Sequence, residues 1–212
     1  MKLSELNQRT GGLSNPSKMP CYSYNLPAKE CKTGSKLRKV AATTCKDCYA
    51  LKGRYMFPNV QSALYRRLDT ITQPDWVDSM VETISKREKS GYFRWHDSGD
   101  LQSLDHLRNI NEVARQLPDI KFWLPTRELS IYSEYLRHED PHGNLAVRVS
   151  AFKVDFPAPQ KLSGKPVLSS TVHTHGNKPE GHVCPAPKQG NMCGSCRACW
   201  NPAIKNVSYL KH

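Results

Sequence analysis

The chain has 212 residues, 38% of them hydrophobic and 24% charged, enough for one large domain or two small ones and too apolar to be disordered throughout. No run approaches the ~20 apolar residues of a membrane span, and the first residues lack the apolar core of a secretory signal, so the expected location is the cytoplasm. A net charge of +12 fits contact with nucleic acid, a nucleotide or another polyanion, or a soluble protein that is merely basic.

Residues 1–20, rich in Gly, Ser, Asn and Pro, are expected to form a loosely ordered arm. YSYNLPA (22–28) reads as a short strand, followed by a long polar loop. A helix is expected from near Cys48 through 59–71, and a second from Asp75, a possible cap, to about residue 89. YFRWH (92–96) is the next strand. SLDHLRNINEVARQL (103–117) is an amphipathic helix with Leu104, Leu107, Ile110, Val113 and Leu117 on one face and Asp100 or Ser103 as its cap. IKFWLP (120–125) is a strand, LSIYSEYLRH (129–138) a helix, and NLAVRVSA (144–151) and KPVLSSTVH (165–173) further strands. NVSYLKH closes the chain, again with strand character.

Strands alternating with helices imply right-handed crossovers and a parallel sheet. The expected fold class is α/β: a partial (β/α) barrel of five or six mostly parallel strands over 21–180, then a Cys-rich metal-binding segment over 181–212. In such folds the working residues sit at the carboxyl ends of the strands. Those ends are polar here: His96-Asp97-Ser98-Gly99-Asp100, then Thr126-Arg127-Glu128, then Arg148 and Ser150. Asp97 and Asp100 are the candidate proton-transfer groups, with a capping role as the alternative for Asp100. His96, Ser98, Arg127 and Arg148 are the candidate ligand-binding groups, since a guanidinium fork matches carboxylate or phosphate.

Eight cysteines divide into two groups. In a reducing compartment clustered thiols point to metal rather than to disulfides. Cys31, Cys45 and Cys48 follow the first strand, and three thiolates leave one metal position open. Cys184, Cys193, Cys196 and Cys199, spaced C-x8-C-x2-C-x2-C, suffice for a closed centre. The x2 run is like that of ferredoxins, with zinc as the alternative. Cys21 is left over. It, or a histidine, is free to complete the first site as a zinc knuckle, and His173, His175 and His182, just before the second group, are candidate ligands there.

The three-cysteine group after a first strand, with Tyr49 following its last member, resembles the radical S-adenosylmethionine superfamily. That resemblance implies a β/α barrel with a [4Fe-4S] cluster and S-adenosylmethionine as a second cofactor. The superfamily spacing is C-x3-C-x2-C, whereas 13 residues separate Cys31 from Cys45 here. The whole chain also resembles the phage gene-product-88-like family, through YSYNLPAKECKTGSKLRKV, CKDCYALKGRY with FPNVQ, FRWHDSGDL and the terminal CGSCRACW. This second resemblance implies a phage context and the host cytoplasm, and no particular reaction. The expectation is therefore an iron–sulfur enzyme with one or two [4Fe-4S] clusters, acting on a nucleotide or nucleic-acid-related substrate with an electron-donor protein as partner. The alternative is a non-enzymatic zinc or iron–sulfur module that binds nucleic acid or a host protein.

Overall fold

A seven-stranded sheet in the order β1-β2-β3-β4-β7-β9-β8 forms the frame, and every neighbouring pair in it is parallel. The computed structural model describes residues 1–211, and all statements of absence below refer to these. The strands are β1 (Ser23–Tyr24), β2 (Tyr92–Trp95), β3 (Lys121–Thr126), β4 (Leu145–Ser150), β7 (Leu168–His173), β8 (His182–Val183) and β9 (Asn206–Leu210). β5 (Lys161–Leu162) and β6 (Lys165–Pro166) form a separate antiparallel hairpin. Apart from β8, the sheet is sequential, as expected when each crossover returns on the same side. It stays open: β1 and β8 are its two edges, and no closed barrel forms.

Helices cover one face. They are α1 (Leu3–Thr10), α2 (Lys32–Leu37), α3 (Pro58–Thr70), α4 (Trp76–Arg87), α5 (Leu104–Gln116) and α6 (Leu129–His138). Alternation along β2 and β3 sends Phe93, Trp95, Phe122 and Leu124 toward Trp76, Met80, Leu107, Ile110 and Tyr132, all nearly or wholly buried. Each such side chain contributes roughly 1.5–3 kcal/mol on burial. Ser103 caps α5, its Oγ accepting from the His106 amide at 3.0 Å. Asp75, by contrast, makes no cap bond; its carboxylate takes a hydrogen bond from Arg9.

The other face carries Arg94, Trp123, Pro125 and Arg148, brought side by side by the register Arg94↔Trp123 and Pro125↔Arg148. No α-helix lies on it. The C-terminal Cys-rich segment covers it instead, with Trp200 against Trp123 at 5.3 Å between ring centres and its indole N–H donating to the Phe93 carbonyl at 2.8 Å.

Two expectations about organisation are corrected by this arrangement. Residues 1–20 are not a loose arm: α1 buries Leu6 and Thr10 completely and lies against α4. Its eight residues end at Gly11, where φ is +76° and an added Cβ would stand 2.7 Å from the Arg67 Cα, so no side chain fits. The expected division after residue 180 does not separate two folding units either, because the residues beyond it supply β8 and β9 of the same sheet and the lid over its inner face. No helix is long and apolar enough to cross a membrane.

Candidate functional site

The carboxyl ends of β1, β2 and β3 form a polar mouth, and the first cysteine group stands over it. Cys31 precedes α2, which is held there from below by Glu128: its carboxylate accepts from the Thr33 amide and hydroxyl, both at 2.7 Å. Gly34 in α2 faces the thiols. A Cβ on it would lie 2.9 Å from Cys31 Cβ and 3.7 Å from the Sγ atoms of both Cys31 and Cys45. Cys45 and Cys48 bracket a turn closed by the Cys48 amide donating to the Cys45 carbonyl at 3.4 Å. Arg127 braces this loop through Thr44 Oγ1 at 2.6 Å. Burial pushes the Cys31 and Cys45 thiols up, and the Arg127 guanidinium opposes that rise at Cys45.

Asp97 sits under the trio among hydroxyls and amides. Its carboxylate accepts from Ser23 Oγ at 3.2 Å, Tyr55 Oη at 3.1 Å and Asn25 Nδ2 at 3.4 Å, and its carbonyl from Tyr49 Oη. Asp100 is different. Leu101 N, Thr126 Oγ1 and Arg127 N all donate to its carboxylate, at 2.8, 2.7 and 2.9 Å. Burial lifts its pKa to about 6 in spite of those donors. It is a joint tying the end of β2 to the end of β3, and it does not cap α5. Ser98 is likewise a stitch: its Oγ donates to the Leu26 carbonyl at 2.9 Å, and the Leu26 amide returns to the Ser98 carbonyl at 3.0 Å.

Two residues expected in the mouth lie elsewhere. His96 has φ +53°, an uncommon conformation for a non-glycine residue, which turns its ring to the helix side. It lies 5.4 Å from the His106 ring of α5, 2% exposed, and neither ring nitrogen has a hydrogen-bond partner. Arg148 is fully buried in the body of β4, under the Cys-rich segment, because its strand position alternates onto the inner face rather than the end. Its guanidinium donates to the carbonyls of Cys199, Ala198, Asn201 and Ile204 at 2.8–3.0 Å, with Ser169 and Lys205 beyond them. No donor is left for a ligand. Sequence order cannot reveal this, since the four carbonyls come from a loop 50 residues downstream.

The two histidines imply a pH dependence. Burial depresses His106 from 6.5 to about 3 and His96 well below its usual value. For His106 the stability is complete above pH 6.5 and is lost as pH falls toward 3, at about 1.4 kcal/mol per pH unit, and His96 acts in the same direction. A His106→Phe variant is expected to flatten this acid limb by several kcal/mol while losing about 1 kcal/mol at neutral pH from the unpaired Gln102 amide. Urea unfolding at pH 7, 5.5 and 4.5 measures it; parallel pH profiles for variant and parent would contradict it.

The second group is Cys184, Cys193, Cys196 and Cys199, and the structure adds Cys21 to it. Cys21, 4% exposed, packs in one cluster with Cys184, Cys196, Cys199, Trp123 and Val207. Burial raises Cys21 and Cys199 to about 12, with the Glu88 carboxylate adding to the rise at Cys21. Cys199 Sγ is 3.1 Å from Tyr209 Oη, and Cys196 Sγ is 3.5 Å from His182 Nε2. The only sequence sign of His182 is its place two residues before Cys184; Cys21 has none, since 163 residues separate it from its neighbours. All eight cysteines are free thiols. Among the described residues, no three or more His, Cys, Asp or Glu side chains are grouped as one metal ion would require. Next to the second group, at the amino ends of β2 to β4, lies an open groove of about 1170 Å³ bordered by Tyr92, Lys121, His182, Cys196 and Arg197.

Arg94 lies between the two groups. Its guanidinium stacks on Trp123 at 4.3 Å, donates to Met19 Sδ at 3.3 Å, and leaves Nε buried without a partner.

A family profile described as gene product 88 matches residues 2–202. The chain belongs to this family. The gene 88 protein of Mycobacterium phage L5 is 26% identical over 202 residues, covering 84% of this chain and 82% of the relative. The gene 88 protein of Mycobacterium phage D29 is 25% identical over 203 residues, with the same coverage. No solved structure matches. Family membership bears out the gene-product-88 resemblance and lends nothing to the radical S-adenosylmethionine one. Nearly all of the folded chain lies within the match, including both cysteine groups and the mouth.

Proposed function

We propose that this gene product 88 protein is an iron–sulfur enzyme in which Cys31, Cys45 and Cys48 hold a [4Fe-4S] cluster with one open corner above the strand ends. The supporting observation is the division of the thiols: three over the polar mouth at the strand ends and five on the sheet face roofed by the Cys-rich segment, with Cys21 among the five. A fourth thiol is therefore not at hand to close the first site. The donor set fits the group. Soft thiols without carboxylates select zinc or iron–sulfur centres. Gly34 keeps the space in front of two of the sulfurs free of a side chain.

When bound, such a cluster supplies an electron or a Lewis-acidic iron to a ligand at its open corner; S-adenosylmethionine is one candidate for that ligand. The protein's own part is positioning. Asp97, held by Ser23, Tyr55 and Asn25, offers a carboxylate to an ammonium or hydroxyl group of the ligand. Arg127 fixes the Cys45 loop and places a positive charge beside it. Asp100 and Ser98 keep the strand ends together. The second cysteine group, packed among Trp123, Trp200 and Val207, acts as a structural centre that clamps the C-terminal segment. That burial also favours the runner-up, a metal-stabilised module without catalysis in which both groups serve folding.

Metal analysis separates the two. Anaerobically prepared protein is expected to be brown, with about eight irons per chain if both groups hold cubes. The Cys45→Ala variant is expected to lose about half of that iron while keeping the signal of the second centre. Colourless protein with about two zinc atoms would establish the module instead. A shift of the first cluster's electron paramagnetic resonance signal on adding S-adenosylmethionine tests the ligand, and an unchanged spectrum removes it.

A further inference from the structure

Around the first cysteine group the surface changes character. Residues 29–66 hold nine Lys and Arg against two acids, or seven of the chain's twelve net positive charges. One of these acids is engaged: Tyr65 Oη donates to Glu30 Oε1 at 3.0 Å. Among the described residues the one ion pair in this stretch is Lys52–Asp47, at 4.0 Å. Lys29, Lys36, Lys39, Lys46, Arg54 and Arg66 have no carboxylate within salt-bridge reach, whereas helix-surface cations elsewhere, such as Arg108, Arg115 and Arg137, are paired.

Large apolar side chains are exposed in the same place. Tyr49 is 58% exposed, Phe57 54% and Phe156 55%, with Met56 and Tyr65 beside them. Three of these rings are tied to the segments that carry the trio, and Phe57 follows Tyr55, whose hydroxyl donates to Asp97 in the mouth. Tyr49 directly follows Cys48, and Tyr65 reaches Glu30, next to Cys31. Phe156 has Lys153 over its ring at 5.4 Å, and Lys153 is bridged to Thr43 two residues before Cys45. An apolar protein partner would leave the cations unpaired, and a simple anion would leave the rings in water. A chain of phosphates carrying unstacked bases satisfies both, because phosphates take the cations and any base can stack on an aromatic face. A duplex keeps its bases stacked internally and offers nothing to the rings.

We propose that this rim binds single-stranded nucleic acid and draws it across the first cysteine group. That the strand binds stands on the rim alone; that it is the substrate rests on the proposed iron–sulfur centre.

The test is fluorescence anisotropy of the full chain with a labelled mixed-sequence 20-mer, as single-stranded DNA, as RNA and as the DNA duplex, with polyglutamate as a competitor. Single strands are expected to bind more tightly than the duplex. With about five phosphates neutralised, affinity should fall roughly 100-fold between 50 and 200 mM salt. The Phe57→Ala, Phe156→Ala double variant removes exposed rings that make no hydrogen bond, and is expected to lose at least about tenfold in affinity. The DNA and RNA arms identify the sugar. Tighter duplex binding, equal affinity of the double variant, or displacement by polyglutamate at equal charge concentration would each overturn the proposal, the last in favour of an acidic protein partner. Metal content measured on the same sample keeps the two proposals apart: strand binding by metal-free protein upholds this one while the catalytic one fails.

Discussion

Replacing Arg148 with methionine is expected to lower the unfolding free energy by about 3–5 kcal/mol, a large part of a typical domain's total. Methionine matches the length of the arginine stem but donates nothing. Four carbonyls would lose a charged donor each, those of Ala198 and Cys199 buried and those of Asn201 and Ile204 part-buried. Those carbonyls belong to the turn that carries Cys199 and Trp200 onto the inner face, so the variant should also loosen the second cysteine group. Lysine keeps the charge but lacks the planar fork, and is expected to recover only a fraction of the loss. Urea unfolding of the three proteins gives the values. A loss under about 1 kcal/mol for Arg148→Met would mean that the clamp contributes little.

Gly99→Ala is expected to cost about 3 kcal/mol or more, seen as a fall in Tm of roughly 6–12 °C for a chain of this size. Two costs add. Its φ of +78° lies in the left-handed region, where an L side chain is strained by about 1–2 kcal/mol. The new Cβ would also stand 2.6–2.9 Å from the Leu26 Cβ, carbonyl oxygen and carbonyl carbon, mostly backbone that has nowhere to go. The loop would have to lift away from β1, breaking the paired Leu26–Ser98 hydrogen bonds that hold the mouth together. Gly143→Ala meets nothing within 4 Å and serves as the control. Equal melting temperatures for the Gly99 and Gly143 variants would show that the close approach is not tight in solution.

The buried helix face of α5 and the strand runs of β2 to β4 were legible because periodicity of 3.6 or 2 leaves a local mark. α6 falls on Leu129–His138, the very residues expected. α1 escaped detection because its eight residues carry little apolar character of their own, and its stability comes from α4 beneath it. β8, two residues long, has no pattern to read and exists because β9 offers it an edge. At the mouth, Asp97 and Arg127 lie where strand-end logic puts them. His96 departs from it through one backbone angle, and Arg148 through its position within a strand rather than at the end.

The amino-acid sequence by itself determined the α/β class, the parallel order of the principal strands, the two thiol groups and the basic surface, because these follow from local periodicity, ligand spacing and charge. Only the tertiary structure decided that the sheet's inner face is roofed by the Cys-rich segment clamped on Arg148, and that Cys21 joins the distant group. These depend on contacts between residues from 50 positions apart (Arg148 and Ala198) to 178 apart (Cys21 and Cys199), set by how buried polar atoms find donors and how apolar groups pack, which leaves no trace in the order of neighbours along the chain.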